Sequence, residues 1–168
     1  MKQILVRKGM ILVFALLALT AVVPSKACYK EIIDGPESLE IYTYAMWTFE
    51  IVVAGPGGTS MRVEDVIPAE FNVLSLSATE GDAYFYKKGK GKGATHIVWE
   101  IEEYTTAWHL VRLYVTIETR TNPSGKKVGL TTEGWYPLNE GATATFTYPD
   151  DSVYSVTTGG LSVYAYEP

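Results

Sequence analysis

From Cys28 onward, apolar side chains recur at nearly every second position. Trp47, Phe49, Ile51 and Val53 alternate with Thr48 and Glu50, and Ile97, Trp99 and Ile101 alternate with His96 and Glu100. The longest run sets Val111, Leu113, Val115 and Ile117 against Arg112, Tyr114, Thr116, Glu118 and Arg120. Ala142, Ala144, Phe146 and Tyr148 alternate with three threonines, and Leu161, Val163 and Ala165 with Ser162, Tyr164 and Tyr166. A period of two marks antiparallel strands with one face on a core and the other in water. The β-branched and aromatic content agrees. No window carries a helical period beyond about two turns. Turn chemistry separates the runs: Gly55-Pro56-Gly57-Gly58, the stretch 87–93, Asn122-Pro123-Ser124-Gly125 and Thr158-Gly159-Gly160 supply Gly for positive φ or Pro for fixed φ. The pattern predicts an all-β, two-layer antiparallel β-sandwich of about eight strands with Greek-key connections, with a closed barrel as the alternative. Its inner face takes Phe49, Ile51, Trp99, Leu113 and Val115.

The stretch ahead of the strands changes where this sandwich is expected to work. Lys2, Arg7 and Lys8 are followed by an apolar run from Met10 to Val23, then Pro24 and Ser25-Lys26-Ala27. That order is the pattern of a secretory signal peptide, cleaved after Ala27, and the run is short for a membrane span. An uncleaved N-terminal anchor is the alternative. The expected organisation is a signal peptide over 1–27, a flexible N-terminal tail or donor segment over 28–37, and one sandwich domain over 38–168. Cleavage removes four basic side chains (Lys2, Arg7, Lys8, Lys26) and no acid, leaving 10 basic against 19 acidic, a net charge of −9. Such a balance argues against nucleic acid as a partner. Cys28, the only cysteine, would begin the mature chain, so no internal disulfide can form. It has three readings: an incidental residue at the cleavage site, a lipid acceptor behind a poor lipobox, or an intermolecular disulfide. None of Asn72, Asn122 and Asn139 lies in a glycan-acceptor motif.

Candidate chemistry is sparse. The run Lys87-Lys88-Gly89-Lys90-Gly91-Lys92-Gly93 lacks the Gly-Lys-Ser/Thr ending and following helix of a phosphate loop, and reads as a charged hairpin tip. His96 and His109 have no neighbouring His or Cys at ligand spacing, and no Gly-x-Ser-x-Gly elbow is present. Glu64-Asp65, Glu102-Glu103 and Asp150-Asp151 are adjacent acids, which on a strand point to opposite faces and do not converge. Asp150 and Asp151 are weak calcium candidates in the Tyr148-Pro149-Asp150-Asp151-Ser152 turn, against the commoner role of Asp in forming turns. Trp135 and Tyr136 sit among turn residues and are candidates to stack on a sugar ring. Closure of one end of the core is the favoured reading. Tyr42, Tyr44, Tyr164 and Tyr166 repeat at every second position, as cross-strand or intersubunit ladders would.

Four stretches together resemble one family. They are Phe49 to Val53, Met61 to Val73 with its Asp65-Val66-Ile67-Pro68 turn, Val98-Trp99-Glu100-Ile101, and Val111 to Gly125 ending in Asn122-Pro123-Ser124-Gly125. Over about Met46 to Gly125 the chain resembles the conserved-repeat, immunoglobulin-like domains of bacterial and archaeal cell-surface proteins. It departs from them after the first of these strands, where it has Ala54-Gly55-Pro56-Gly57 in place of an Asn- and Gly-containing turn. The resemblance implies a sandwich fold and a cell-envelope role, and no catalytic residues.

The expectation is an exported, non-enzymatic cell-surface structural protein without a cofactor, calcium being the weak exception. Its partners would be copies of itself or other envelope proteins. Assembly into a filament or lattice would proceed by strand addition, with Cys28, Tyr29, Ile32 and Ile33 in the segment that reaches the next subunit. The alternative is a secreted adhesive or carbohydrate-binding module, with surface polysaccharide as ligand.

Overall fold

The computed structural model describes residues 28–87, 93–120, 126 and 128–168. The predicted signal peptide, most of the Lys-Gly run and the Asn122-Pro123-Ser124-Gly125 turn lie outside the described residues. Among the described residues twelve strands follow one another: β1 (Cys28–Asp34), β2 (Ser38–Glu40), β3 (Met46–Ala54), β4 (Thr59–Ile67), β5 (Phe71–Ala78), β6 (Asp82–Lys87), β7 (Thr95–Tyr104), β8 (Leu110–Thr119), β9 (Gly134–Pro137), β10 (Thr143–Thr147), β11 (Val153–Thr157) and β12 (Ser162–Tyr166). They form a four-stranded sheet ordered β1-β3-β8-β5, a five-stranded sheet ordered β11-β10-β4-β7-β6, and a small sheet ordered β2-β12-β9. The all-β sandwich is therefore as the alternation predicts. The count exceeds about eight, because β1, β2, β9 and β11 are edge or capping strands whose patterns are short or broken. The β2–β12 pair is parallel, while every other ladder is antiparallel.

The register explains why the core holds. Across β3 and β8 the inward pairs are Trp47↔Ile117, Phe49↔Val115, Ile51↔Leu113 and Val53↔Val111, while Thr48↔Thr116 and Glu50↔Tyr114 face out. Across β4 and β7, Met61↔Ile101 and Val63↔Trp99 bring the second sheet's apolar face inward. All five residues predicted for the inner face are fully buried. The large rings meet edge to face, Trp47 on Phe71 at 5.6 Å and Tyr104 on Phe146 at 6.1 Å between centroids. Both fully buried indoles satisfy their N–H, Trp47 on the Pro36 carbonyl at 2.9 Å and Trp99 on the Glu80 carbonyl at 2.7 Å. Gly55 admits the Phe146 ring so closely that a Cβ there would overlap it.

Residues 28–34 are a strand of the chain's own sheet rather than a free tail. β1 pairs with β3 from Cys28↔Val53 to Asp34↔Thr48. Cys28 is buried and Ile32 packs on the core, whereas Tyr29 is half-buried and Ile33 exposed. The backbone hydrogen bonds of β3 and the apolar cover offered to Cys28 and Ile32 are the physical reason. A lysine at the inward position between those two residues hides the alternation in the sequence.

Candidate functional site

That lysine is part of a buried polar cluster joining three separate segments. Lys30, on β1, shares the inward parity of Cys28 and Ile32. Asp65, on β4, shares that of Met61, Val63 and Ile67. Asn139 follows the fully buried Leu138 in the connection from β9 to β10. The side chains of Lys30 and Asp65 are 1% and 0% exposed, and Asn139 is 0% exposed. Lys30 Nζ lies 3.0 Å from Asp65 Oδ2, a close ionic contact, and finds no aligned hydrogen-bond acceptor among the described residues. Asn139 Nδ2 donates to the same Oδ2 at 2.8 Å. Asp65 Oδ1 accepts the Val66 N–H at 2.8 Å, and Asn139 Oδ1 accepts the Leu161 N–H at 2.7 Å. Because a backbone N–H can only donate, the atom facing Leu161 is the amide oxygen, which fixes the carboxamide's orientation.

Burial sets the electrostatics. It pulls Lys30 below the usual lysine value, a pull that the Asp65 charge opposes without cancelling. Burial also pushes the neighbouring Cys28 thiol up to about 11. The sequence reading of Glu64-Asp65 as divergent acids holds in its geometry: Glu64 stays outside with Arg62 at 2.8 Å, and Asp65 turns in. What that reading missed was the partner. The available signal was a parity violation: Lys30 and Asp65 stand at inward positions of their strands, where an unpaired charge is costly.

Trp135 and Tyr136 part company. As adjacent residues of β9 they face opposite ways. Tyr136 packs partly against the core and donates to the Thr132 carbonyl at 3.1 Å, while Trp135 is 72% exposed. Core closure is thus wrong for Trp135, because the described residues leave its side of the small sheet uncovered. The indole lies 5.3 Å from the Tyr164 ring at 59°, and Tyr164 donates to Glu133 Oε1 at 2.7 Å. Tyr166 follows on the same face of β12. The expected ladder of four tyrosines reduces to this pair, since Tyr42 and Tyr44 lie in the connection after β2.

The Asp150 and Asp151 carboxylates do not converge with other ligands. Asp150 Oδ1 accepts the Ser152 hydroxyl at 2.6 Å and its N–H at 3.0 Å, and these bonds hold Asp150 below its ordinary value. Asp151 adopts φ 64° in the same turn, so the pair builds the β10–β11 hairpin. Among the described residues no group of three His, Cys, Asp or Glu side chains is placed to hold a metal ion. His96 stacks on Tyr86 at 5.3 Å. His109 stacks on Tyr104 at 4.6 Å and lies 3.1 Å from Glu80; the Thr106 carbonyl first, then Glu80, raise its affinity for a proton.

The two packed sheets define an immunoglobulin-like β-sandwich module. Comparison with solved structures agrees at the level of fold. The chain superposes on BcpA, the major pilin subunit of Bacillus cereus, with a TM-score of 0.51 and 11% identity, over 83% of this chain and 40% of that one. The major pilin SpaD of Corynebacterium diphtheriae gives a TM-score of 0.51 and 14% identity, over 82% and 35%. In sequence, 120 residues are 35% identical to an uncharacterized protein of Archaeoglobus fulgidus, covering 71% of this chain and 43% of that protein. The chain therefore spans less than half the length of the relative it matches. No protein-family model matches, so the resemblance to conserved-repeat domains reaches no further than the immunoglobulin-like fold.

Proposed function

We propose that this protein is an exported, non-enzymatic structural module of the cell surface that associates through its sheet edges with copies of itself or with other envelope proteins. The observation that carries the reading is β11. It ends the five-stranded sheet, is paired among the described residues only to β10, and exposes four of its five residues, Val153 and Tyr154 among them. A strand with one open edge and large exposed side chains is a template for another chain's strand. With β1 seated on its own β3, the strand-addition surface moves from the N-terminal segment to this edge. Pairing between unlike edges of two copies does not close and propagates as a fibre. The leader-like stretch 1–27 supports export, and two of the structures sharing this fold are major pilin subunits.

Light scattering and negative-stain microscopy of the purified protein test it. Wild type is expected to form concentration-dependent oligomers, and the Val153→Lys/Tyr154→Lys variant to remain monomeric with unchanged thermal unfolding. A wild type that is monomeric at high concentration overturns the proposal. Intact mass of the protein from its own cells tests export, which predicts loss of residues 1–27.

A second reading has its own observation, the exposed Trp135 set at a tilt beside Tyr164, whose hydroxyl holds Glu133. An aromatic platform edged by a carboxylate suits the apolar face and hydroxyls of a sugar ring. Binding on a glycan array that disappears in Trp135→Ala supports an adhesive module; an array without signal removes it.

A further inference from the structure

The buried cluster brings together a primary amine, a carboxamide and a carboxyl group with water excluded. We propose that Lys30 and Asn139 join in a spontaneous amide cross-link, with Asp65 carrying the proton between them. As a bare ion pair the arrangement would be hard to rationalise. Burying two charges gains little stability over apolar packing, and among the described residues Lys30 Nζ has no aligned acceptor. Asn139 is not needed to neutralise either charge, yet its carboxamide is held at both ends.

Each held contact suits the reaction. The amine and the carboxamide nitrogen both touch Asp65 Oδ2, so one oxygen can take a proton from the first and give it to the second. Transfer of one proton from Lys30 to Asp65 turns the ion pair into a neutral amine and a neutral acid. A dry site favours that exchange, and burial already weakens the hold of Lys30 on its proton. The free amine is the nucleophile and Asn139 Cγ the electrophile. The Leu161 N–H, donating to Asn139 Oδ1, stabilises the negative charge that develops on that oxygen during attack. Attack leaves Nζ with one proton too many, and collapse breaks the Cγ–Nδ2 bond as Asp65 Oδ2 relays that proton from Nζ to Nδ2. Ammonia leaves, and the Nζ–Cγ amide remains. Atoms balance without an oxidant or co-reactant: an amine and a primary amide become a secondary amide and ammonia. Asp65 ends as the neutral acid, and returns to the carboxylate when the departing ammonia carries that proton away as ammonium. Cys28, whose thiol keeps its proton at neutral pH, does not compete as the nucleophile.

The link would tie the edge strand β1, in the four-stranded sheet, to the connection leading into β10 of the other sheet. An edge strand held by one ladder would become covalently fixed to the body of the sandwich.

The test is intact-mass spectrometry of the whole purified protein under denaturing conditions, followed by digestion and fragment sequencing. Wild type is expected to be lighter than its sequence by one ammonia and to yield a branched peptide joining Lys30 to Asn139. Asp65→Ala, Asn139→Ala and Lys30→Arg are each expected to restore the full mass. Lys30→Arg keeps a buried cation beside Asp65, so a cooperative melt of this variant shows that lost chemistry is not lost folding. A folded wild type with the full sequence mass overturns the proposal. So does loss of water with a branch at Asp65, which would make the acid the acceptor, or loss of ammonia without a branch, which is ring closure at Asn139. None of these outcomes depends on whether the protein assembles.

Discussion

Leu110 and Leu113 lie three residues apart on β8, so the pleat sends them to opposite faces. Leu113 is 0% exposed, opposite Ile51 on β3 and Ala78 on β5; Leu110 is 48% exposed at the strand's start. Truncating each to alanine removes the same atoms in two environments. At Leu113 the loss combines the transfer term with a cavity in a close-packed layer, about 3 kcal/mol. At Leu110 it stays within about 0.5 kcal/mol, as for a surface change. For a domain of this size the first corresponds to a fall in melting temperature of roughly 10 °C, the second to no more than about 2 °C. Urea titration followed by tryptophan emission is the direct assay, since Trp47 and Trp99 are fully buried and report on the core. Equal costs, or a larger cost at Leu110, would mean that β8 is displaced by one residue, and every inward pair assigned to β3 and β5 would fall with it.

Gly55→Ala is expected to destabilise by about 1–3 kcal/mol, because the added methyl meets the Phe146 ring and the strand turn must move; an unchanged urea midpoint would contradict that contact. Cys28 should resist iodoacetamide in the folded protein at mildly alkaline pH and react once the protein is unfolded in urea. Burial keeps the group a thiol until the pH nears about 11, so rapid labelling of the native state at pH 8 would refute it. Trp135→Ala should leave thermal unfolding within about 0.5 kcal/mol of wild type, since the ring packs only on exposed surface.

The parts of the fold legible in the sequence are those where burial alone selects residues. In β3, β7 and β8 the strict alternation identified Phe49, Ile51, Trp99, Leu113 and Val115, all on the inner face. Legibility fails where another force competes. β1 was hidden because Lys30 takes an inward position that only a partner 35 residues away can justify. β2 and β9, of three and four residues, are too short to show a period. Trp135 was misplaced because an aromatic residue in a breaker-rich segment carries no information about which way it faces until its strand is paired. The buried cluster was written in the sequence as polar residues at core parity, but pairing Lys30, Asp65 and Asn139 needed three-dimensional proximity that spacing does not encode.

The dispersal of those three residues along the chain has a temporal consequence. Positions 30, 65 and 139 meet only after both sheets have closed on one another, so a growing or collapsed chain offers the amine no carboxamide to attack. Closing loops over such separations costs chain entropy that has to be met before the contacts reward it. Any chemistry at this site therefore acts as a record of folding. A copy that reaches its native arrangement, even once, is marked, and a copy that misfolds is not. In a population of molecules, the marked fraction would count how many have ever completed the journey, whatever state they occupy when weighed.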